Sequence, residues 1–271
     1  MAAVQPERRR FRRSAGDSVK DSAGTRLRWE IGALIIGIAV WEAVGRGYPH
    51  LIPPASQVWS AAVGYAETGA LWSQLGDTLR ELLIGYAATM VAGVLLGVLM
   101  GLSRSAGRIA DMYLNWMLSA PEIALIPFFI VVFGYSSIAQ LVVVMVFALP
   151  VIAQRTVDGV LNVPKDLVEM SRSFETGRLR TIMHVVLPAS LPSIMVAARL
   201  GFARALLGVV AAGIFIQEFG LGGQIYYYEQ NFDLPSMFTY LLAVVILALA
   251  ASRGIQWLEQ RVTHWSSSVA R

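Results

Sequence analysis

Long apolar blocks separated by shorter polar segments dominate this sequence of 271 residues, and the pattern predicts helices that cross a membrane. About 20 apolar residues are enough for a helix to cross a hydrocarbon core roughly 30 Å thick. Six spans are predicted: about Glu30–Gly45, about Leu82–Leu102, about Met112–Phe133, about Ile138–Ala153, a fifth that includes Arg199, Arg204 and Ala205–Gln217, and Leu234–Ser252. Span one is short and holds Glu30 and Glu42, so we expect it at the edge of the bundle.

The segments outside the spans divide the chain into a central domain and two tails. Residues 1–28 carry eight Arg or Lys and few apolar side chains, which predicts a disordered basic tail. Residues 29–258 form the predicted six-span domain, and residues 259–271 form a second tail. Between the first two spans, Ser56–Leu75 contains two tryptophans and a tyrosine, as expected of a segment that lies at the membrane interface.

Small residues recur every four positions in span two. They are Gly85, Thr89, Gly93, Gly97 and Gly101. A ridge of small residues on one face of a helix permits close contact with a neighbouring helix. The ridge therefore predicts packing and no chemistry.

The polar segment from Asn162 to Pro188, between spans four and five, has a helical pattern of its own. Leu167, Met170 and Phe174 fall on one helical stripe, while charged residues recur around the rest. Asn162 and Pro164 are typical of a helix start, and Gly177 is expected to adopt a left-handed conformation that ends this helix. The segment, called the 162–188 loop below, is thus predicted as helix, break, helix.

The positive charges indicate which side of the membrane this loop faces. Eight Lys or Arg lie in the first tail, two between spans two and three, five between spans four and five and three after span six, whereas the loops after spans three and five have none. Because positive charge concentrates on the cytoplasmic side, both termini and the 162–188 loop are predicted to be cytoplasmic. Glu218, Glu229 and Asp233 are then predicted on the outer side.

The 162–188 loop resembles the cytoplasmic loop of membrane permease subunits from bacterial ABC importers. The resemblance rests on Glu169, the small residue Ser171, Ile182 and the Leu187–Pro188 pair. The family usually has alanine after the glutamate and glycine six residues on, where this chain has Met170 and Glu175. The wider chain is similar to the nitrate, sulfonate and taurine branch, through Pro53–Ser56, Ser119–Gly134 (SAPEIALIPFFIVVFG), Ala198–Gly201 with Arg204, and Gly220–Gly222.

The resemblance implies an all-α membrane protein with the type I ABC importer permease fold in the bacterial inner membrane. It implies that the loop couples the permease to a separate ATP-binding cassette ATPase through Leu167, Glu169, Met170, Ser171, Phe174, Gly177, Leu187 and Pro188. It also implies a second permease copy as a homodimer partner, an extracytoplasmic substrate-binding protein and no cofactor. The family often has a glutamate at the position of Gly213, so the role of that carboxylate is either absent from this chain or moved to another residue, for which Glu218 is the candidate.

Composition excludes several other classes of protein. Hydrophobic residues make up 56% of the chain and the mean hydropathy is +0.58, well above a soluble domain. There are no cysteines, and Lys20 and Lys165 both lack the glycine frame of a phosphate-binding Walker A loop. The chain is therefore predicted to be a transport subunit without ATPase activity. Its basic residues follow membrane topology, which argues against a nucleic-acid partner.

Three ionisable residues, Glu122, Arg199 and Arg204, are predicted within spans. Such groups usually face the interior of a bundle or a water-filled path. They are candidates for the translocation path of a small anion, such as a sulfonate, taurine or nitrate. The alternative is that the arginines pair with Glu122 or reach the cytoplasmic face.

Other functions are alternatives to the interpretation of this chain as a permease. An intramembrane serine protease would need a histidine within a span, and His50, His184 and His264 all lie outside the spans. An ion-coupled secondary transporter should show an internal repeat, and none is visible. A permease from another ABC importer branch remains open from the loop alone. An amphipathic helix that merely lies on the membrane is a further alternative for the loop.

Overall fold

A computed structural model describes residues 11–216 and 220–262, and the described chain is almost entirely helical. Glu218 and both chain ends lie outside the described residues. The helices are α1 Phe11–Gly47, α2 Ala55–Glu67, α3 Ala70–Leu102, α4 Arg104–Ser119, α5 Ile126–Phe133, α6 Ser137–Leu161, α7 Lys165–Ser173, α8 Arg178–Thr181, α9 Leu187–Ile216, α10 Gly220–Gln230 and α11 Leu234–Val262. A 3₁₀ turn, Glu122–Leu125, precedes α5, and a π-helical turn, Ile182–Val186, joins α8 to α9.

Two compact units divide at Ser60. In the first, α1 begins at Phe11, whereas the sequence predicted a span starting near Glu30, because apolar periodicity does not mark the polar part of a helix. The Trp41 indole donates a hydrogen bond to the Pro53 carbonyl at 3.0 Å. The Glu42 carboxylate accepts hydrogen bonds from the Ser56 amide and hydroxyl, each at 2.9 Å, and so fixes the turn into α2.

In the second unit, the small-residue ridge of α3 packs against branched residues of α6. A Cβ added at Gly93 would lie 2.7 Å from Ile152, and one added at Gly101 would lie 2.6 Å from Val160. Gly85 meets Val144 and Gly97 meets Thr156 in the same way. The predicted packing ridge is confirmed. Because the paired numbers increase together, α3 and α6 run parallel.

Helix α9 packs antiparallel on α6 and completes the core. Gly159 of α6 meets Ser193, whereas Val144 near the other end of α6 meets Gly208. The core residues that these three helices bury together are Leu82, Val144, Ala148, Ile152, Ala197, Ala205, Leu206 and Val209. The ends of α3 and α6 and the start of α9 therefore lie at one end of the bundle, which carries the 162–188 loop.

The turn between α10 and α11 lies at the other end of the bundle. The Gly220 amide donates to the Gln74 side chain at 2.9 Å, and the Leu221 amide donates to the Thr78 hydroxyl at 2.8 Å. Both acceptors belong to the first third of α3. These bonds attach the start of α10 to the end of α3 opposite Leu102.

Four described helical segments are long and apolar enough to cross a membrane: Ala70–Leu102, Ser137–Leu161, Arg178–Ile216 and Leu234–Trp257. They contain predicted spans two, four, five and six. Predicted span three is a broken helix that bends by 92° between Ser119 and Glu122, since Pro121 lacks the amide needed to continue the helical ladder. Helix α1 is not among the described segments of that length and apolarity, so the count of six spans stays a prediction.

Candidate functional site

The 162–188 loop forms the predicted helix, break and second helix, and its inner face is fixed to the bundle. Val168 of α7 packs against a buried cluster of Val160, Val163 and Val186. Ser171, one turn further along the same face, is only 7% exposed. Helix α7 is therefore seated on the ends of α6 and α9.

Hydrogen bonds join α7 to α8 across the break. The Ser171 and Thr181 hydroxyls lie 2.8 Å apart, and both side chains are buried. The Thr176 amide donates to the Ser171 carbonyl at 3.3 Å. Ser171 was predicted from the sequence as a site residue but Thr181 was not, because its only signal was a hydroxyl in the first turn of the second helix.

The outer face of the loop is an exposed apolar surface. Leu167, Met170 and Phe174 form the predicted stripe and are 37%, 54% and 78% exposed. Leu179 and Met183, four residues apart, are also exposed. These two were not predicted as site residues, although their spacing of four is typical of one helical face. Apolar side chains held in this way indicate a contact surface, because burial elsewhere would stabilise the fold more.

The break between the two helices does not use the predicted glycine. Glu175 adopts the left-handed conformation with φ = 51°, whereas Gly177 has φ = −59° and ψ = 150° and precedes α8 in an extended conformation. The prediction for Gly177 was wrong. The bond from the Thr176 amide to the Ser171 carbonyl places the left-handed residue at Glu175, because this bond closes the final turn.

The remaining loop candidates occupy two environments. Glu169 is exposed on α7 and makes no ion pair with any described side chain. Leu187 is partly buried and Pro188 exposed in the first turn of α9, directly after the π-helical turn that joins α8 to α9. Asp166 and Glu175 are exposed as well, so the loop presents several carboxylates around its apolar stripe.

Two of the three intramembrane charges lie together. Arg204 Nη1 is 3.3 Å from Glu122 Oε2, and the Glu122 side chain is 9% exposed while that of Arg204 is 44% exposed. Both line an open cavity of about 840 Å³, whose other walls are almost wholly apolar. Arg199 is partly buried on α9 and does not line this cavity.

A second polar contact inside the bundle lies between α3 and α6. The Gln140 amide donates a hydrogen bond to the Glu81 carboxylate beside a cleft of about 270 Å³. This pair was not predicted from the sequence because the predicted span began at Leu82. Helix α3 extends a further three turns toward its N-terminus and carries Glu81 with it.

Comparison with known proteins identifies the family. Residues 90–264, more than half of the chain, match the family described as "Binding-protein-dependent transport system inner membrane component". Among the structures similar to this chain is the MetNI methionine ABC transporter in an inward-facing conformation. That match has a TM-score of 0.62 and 26% identity, and covers 70% of this chain and 94% of the other.

Curated relatives carry consistent descriptions. A probable ABC transporter permease protein of Brucella melitensis is 27% identical, with 89% of this chain and 98% of the relative covered. The taurine transport system permease protein of Escherichia coli is 23% identical, with coverage of 90% and 95%. A putative aliphatic sulfonates transport permease protein of Escherichia coli is 28% identical, with coverage of 84% and 88%.

These matches confirm the predicted class of transport subunit, its location in the inner membrane and its dependence on a binding protein. They also confirm the predicted ABC permease fold. A permease of this kind is no enzyme, because the ATPase is a separate subunit of the transporter. The chain belongs to the family of inner membrane components of binding-protein-dependent ABC transport systems.

Proposed function

We propose that the 162–188 loop is the site through which this permease receives motion from its ATPase subunit. The exposed stripe of Leu167, Met170 and Phe174 on a short, anchored helix carries the proposal. The stripe would enter an apolar groove of the ATPase, and Glu169 would meet basic groups at the rim. Ser171, Leu187 and Pro188 would hold the loop in shape without entering the groove. Gly177 would link the two helices in an extended conformation that other residues also adopt.

A coupling element must transmit displacement without absorbing it, and the contacts of α7 suit that role. Val168 packs on the bundle, and the hydrogen bond between Ser171 and Thr181 joins the two helices of the loop. The π-helical turn continues α8 directly into α9. Movement of α7 would therefore reach the long core helix α9, and with it Arg204.

We also propose that Glu122 and Arg204 lie on the substrate path. Their ion pair supplies the polar part of a cavity with mostly apolar walls. The charged group of a substrate anion could replace the Glu122 carboxylate as the partner of the Arg204 guanidinium. An aliphatic part of the same substrate would contact the apolar walls of the cavity. Relatives named for taurine and aliphatic sulfonates support a small organic anion of this type. Arg199 is the weaker candidate because it does not line the cavity.

The assembly that fits these sites has two permease copies, each with six spans and cytoplasmic termini, above two ATPase subunits. The test is reconstitution of the permease with its ATPase and binding protein in liposomes. Uptake of a labelled sulfonate should require ATP and all three components. Uptake by the permease alone, without ATP, would instead support an ion-coupled secondary transporter.

A further inference from the structure

The turn between α10 and α11 presents an aromatic side chain to solvent through an uncommon backbone conformation. Phe232 has φ = 56°, in the left-handed region, and its side chain is 88% exposed. Its amide donates to the Glu229 carbonyl, and the Asp233 amide donates to the Tyr228 carbonyl, each at 3.0 Å. This pair of bonds forms a Schellman motif, whose left-handed position is usually glycine. Phenylalanine bears a conformational cost here and gains little burial, so stability does not explain its presence.

The backbone around Phe232 is fixed by its neighbours. The Asp233 carboxylate accepts hydrogen bonds from the Ser236 amide at 3.2 Å and from the Ser236 hydroxyl at 2.6 Å, and so caps α11. The Ser236 hydroxyl also lies 2.9 Å from the Tyr65 hydroxyl. The Tyr228 and Tyr240 rings stack with centroids 5.6 Å apart, and Tyr65 packs against both. The turn is therefore preorganised.

The surface around Phe232 is aromatic at its centre and acidic at its edge. Tyr227 is 57% exposed and Glu229 is exposed beside it. Residues 220–252 contain no Lys, Arg or His. We call residues 227–233 the aromatic turn. Anionic lipid headgroups would be repelled by such a surface, whereas a protein pocket with apolar walls and basic residues at its rim would complement it.

The aromatic turn and the 162–188 loop lie at opposite ends of α3. Helix α10 is bonded to Gln74 and Thr78, while Leu102 lines a cavity with Val168 of the loop. At 1.5 Å per residue, Thr78 and Leu102 are roughly 36 Å apart along the helix, which is enough to cross the hydrocarbon core. If the loop meets the ATPase, the aromatic turn lies on the outer side, where the binding protein delivers substrate.

We propose that Phe232 is an anchor for the extracytoplasmic binding protein, which would receive the ring in an apolar pocket rimmed by basic side chains. The orientation rests on the proposed function of the loop. Large aromatic side chains often dominate the binding energy of interfaces. A turn whose backbone is already fixed loses little conformational entropy on docking. This explains why the left-handed position carries phenylalanine instead of glycine.

The test uses the purified complex of permease and ATPase in lipid nanodiscs, titrated with the substrate-loaded binding protein of the same importer. The readout is the binding-protein concentration that gives half-maximal stimulation of ATP hydrolysis. Phe232→Gly and Phe232→Asn should each raise it at least tenfold, because both residues tolerate the left-handed conformation but lack the ring. Phe232→Tyr should stay within about twofold, since the ring remains.

Thermal unfolding separates loss of the ring from loss of the fold. The Phe232→Gly complex should melt at or above the temperature of the parent, because glycine relieves the left-handed strain. An unchanged half-maximal concentration for Phe232→Gly would overturn the proposal, as would an equal loss for Phe232→Tyr. An effect of Phe232→Gly that disappears in zwitterionic nanodiscs would assign the ring to lipid instead. A parent complex that the binding protein fails to stimulate would overturn the proposed function itself.

Discussion

The Ser171 hydroxyl lies 2.8 Å from the Thr181 hydroxyl, so a buried hydrogen bond links the two short helices of the 162–188 loop. Each of the two residues is less than a tenth exposed. A loop that transmits force to a core helix needs this kind of connection, because independent movement of α7 and α8 would absorb the displacement.

Ser171→Ala should loosen the loop more than it unfolds the protein. Loss of one buried hydrogen bond costs about 1 kcal/mol, and the unpaired Thr181 hydroxyl adds to this. We expect severalfold less substrate transported per ATP hydrolysed, with the ATPase still bound. Ser173→Ala is the matched control, since Ser173 is exposed on the same helix. Equal transport ratios for the two variants would remove the Ser171–Thr181 bond from coupling.

Glu169→Lys should abolish ATPase association or coupling while membrane insertion is retained. The exposed carboxylate is expected to meet basic groups, so a lysine in its place would be repelled. Co-purification of the ATPase subunit and ATP-driven uptake in liposomes are the measurements. Glu67→Lys makes the same change of charge at an exposed position of α2 and should have little effect. Wild-type uptake by the Glu169 variant would contradict the docking proposal.

Glu122→Gln and Arg204→Gln test the ion pair and the path together. Removing one partner of a buried ion pair can cost about 3–5 kcal/mol of stability. Because the Arg204 guanidinium is half-exposed, we expect the cost for this pair to lie at or below the lower end of that range. The double variant should melt closer to the parent than Arg204→Gln does, because no uncompensated charge remains. If the pair lies on the path, uptake should stay at least tenfold reduced in the double variant. Unchanged uptake would remove both residues from the path.

Glu175→Gly should stabilise the break in the loop. A residue other than glycine in the left-handed conformation costs about 1–2 kcal/mol, which glycine avoids. Hydrogen exchange of the α7 amides should therefore slow by up to roughly tenfold. Gly177→Ala is the control, since an added Cβ meets no atom within 4 Å and the backbone there is already extended. Slower exchange in the control but not in Glu175→Gly would contradict the assignment of the break.

The sequence predicted features that depend on local periodicity or charge. The ridge from Gly85 to Gly101 indicated close packing, and the stripe of Leu167, Met170 and Phe174 indicated an amphipathic helix. The sequence alone could not identify Ile152 and Val160 as the packing partners of this ridge, because these contacts join residues about 60 positions apart.

The break at Glu175 and the Ser171–Thr181 bond were missed for a related physical reason. Glycine tolerates the left-handed conformation best, so Gly177 was the local choice, but the geometry of the last turn of α7 decided the position. Pairing of Glu122 with Arg204 was only one of two alternatives until their separation was known. Charge and periodicity thus located the candidate site, and tertiary contacts determined its details.

The central claim is that the exposed face of α7 docks on the ATPase from the cytoplasm. The chain has no cysteine, so Phe174→Cys introduces a single thiol at the most exposed residue of the stripe. In the assembled complex this thiol should crosslink to the ATPase subunit and be protected from maleimide when the ATPase is bound. Labelling of the same thiol in intact cells by a membrane-impermeant maleimide would place the loop outside and contradict the account.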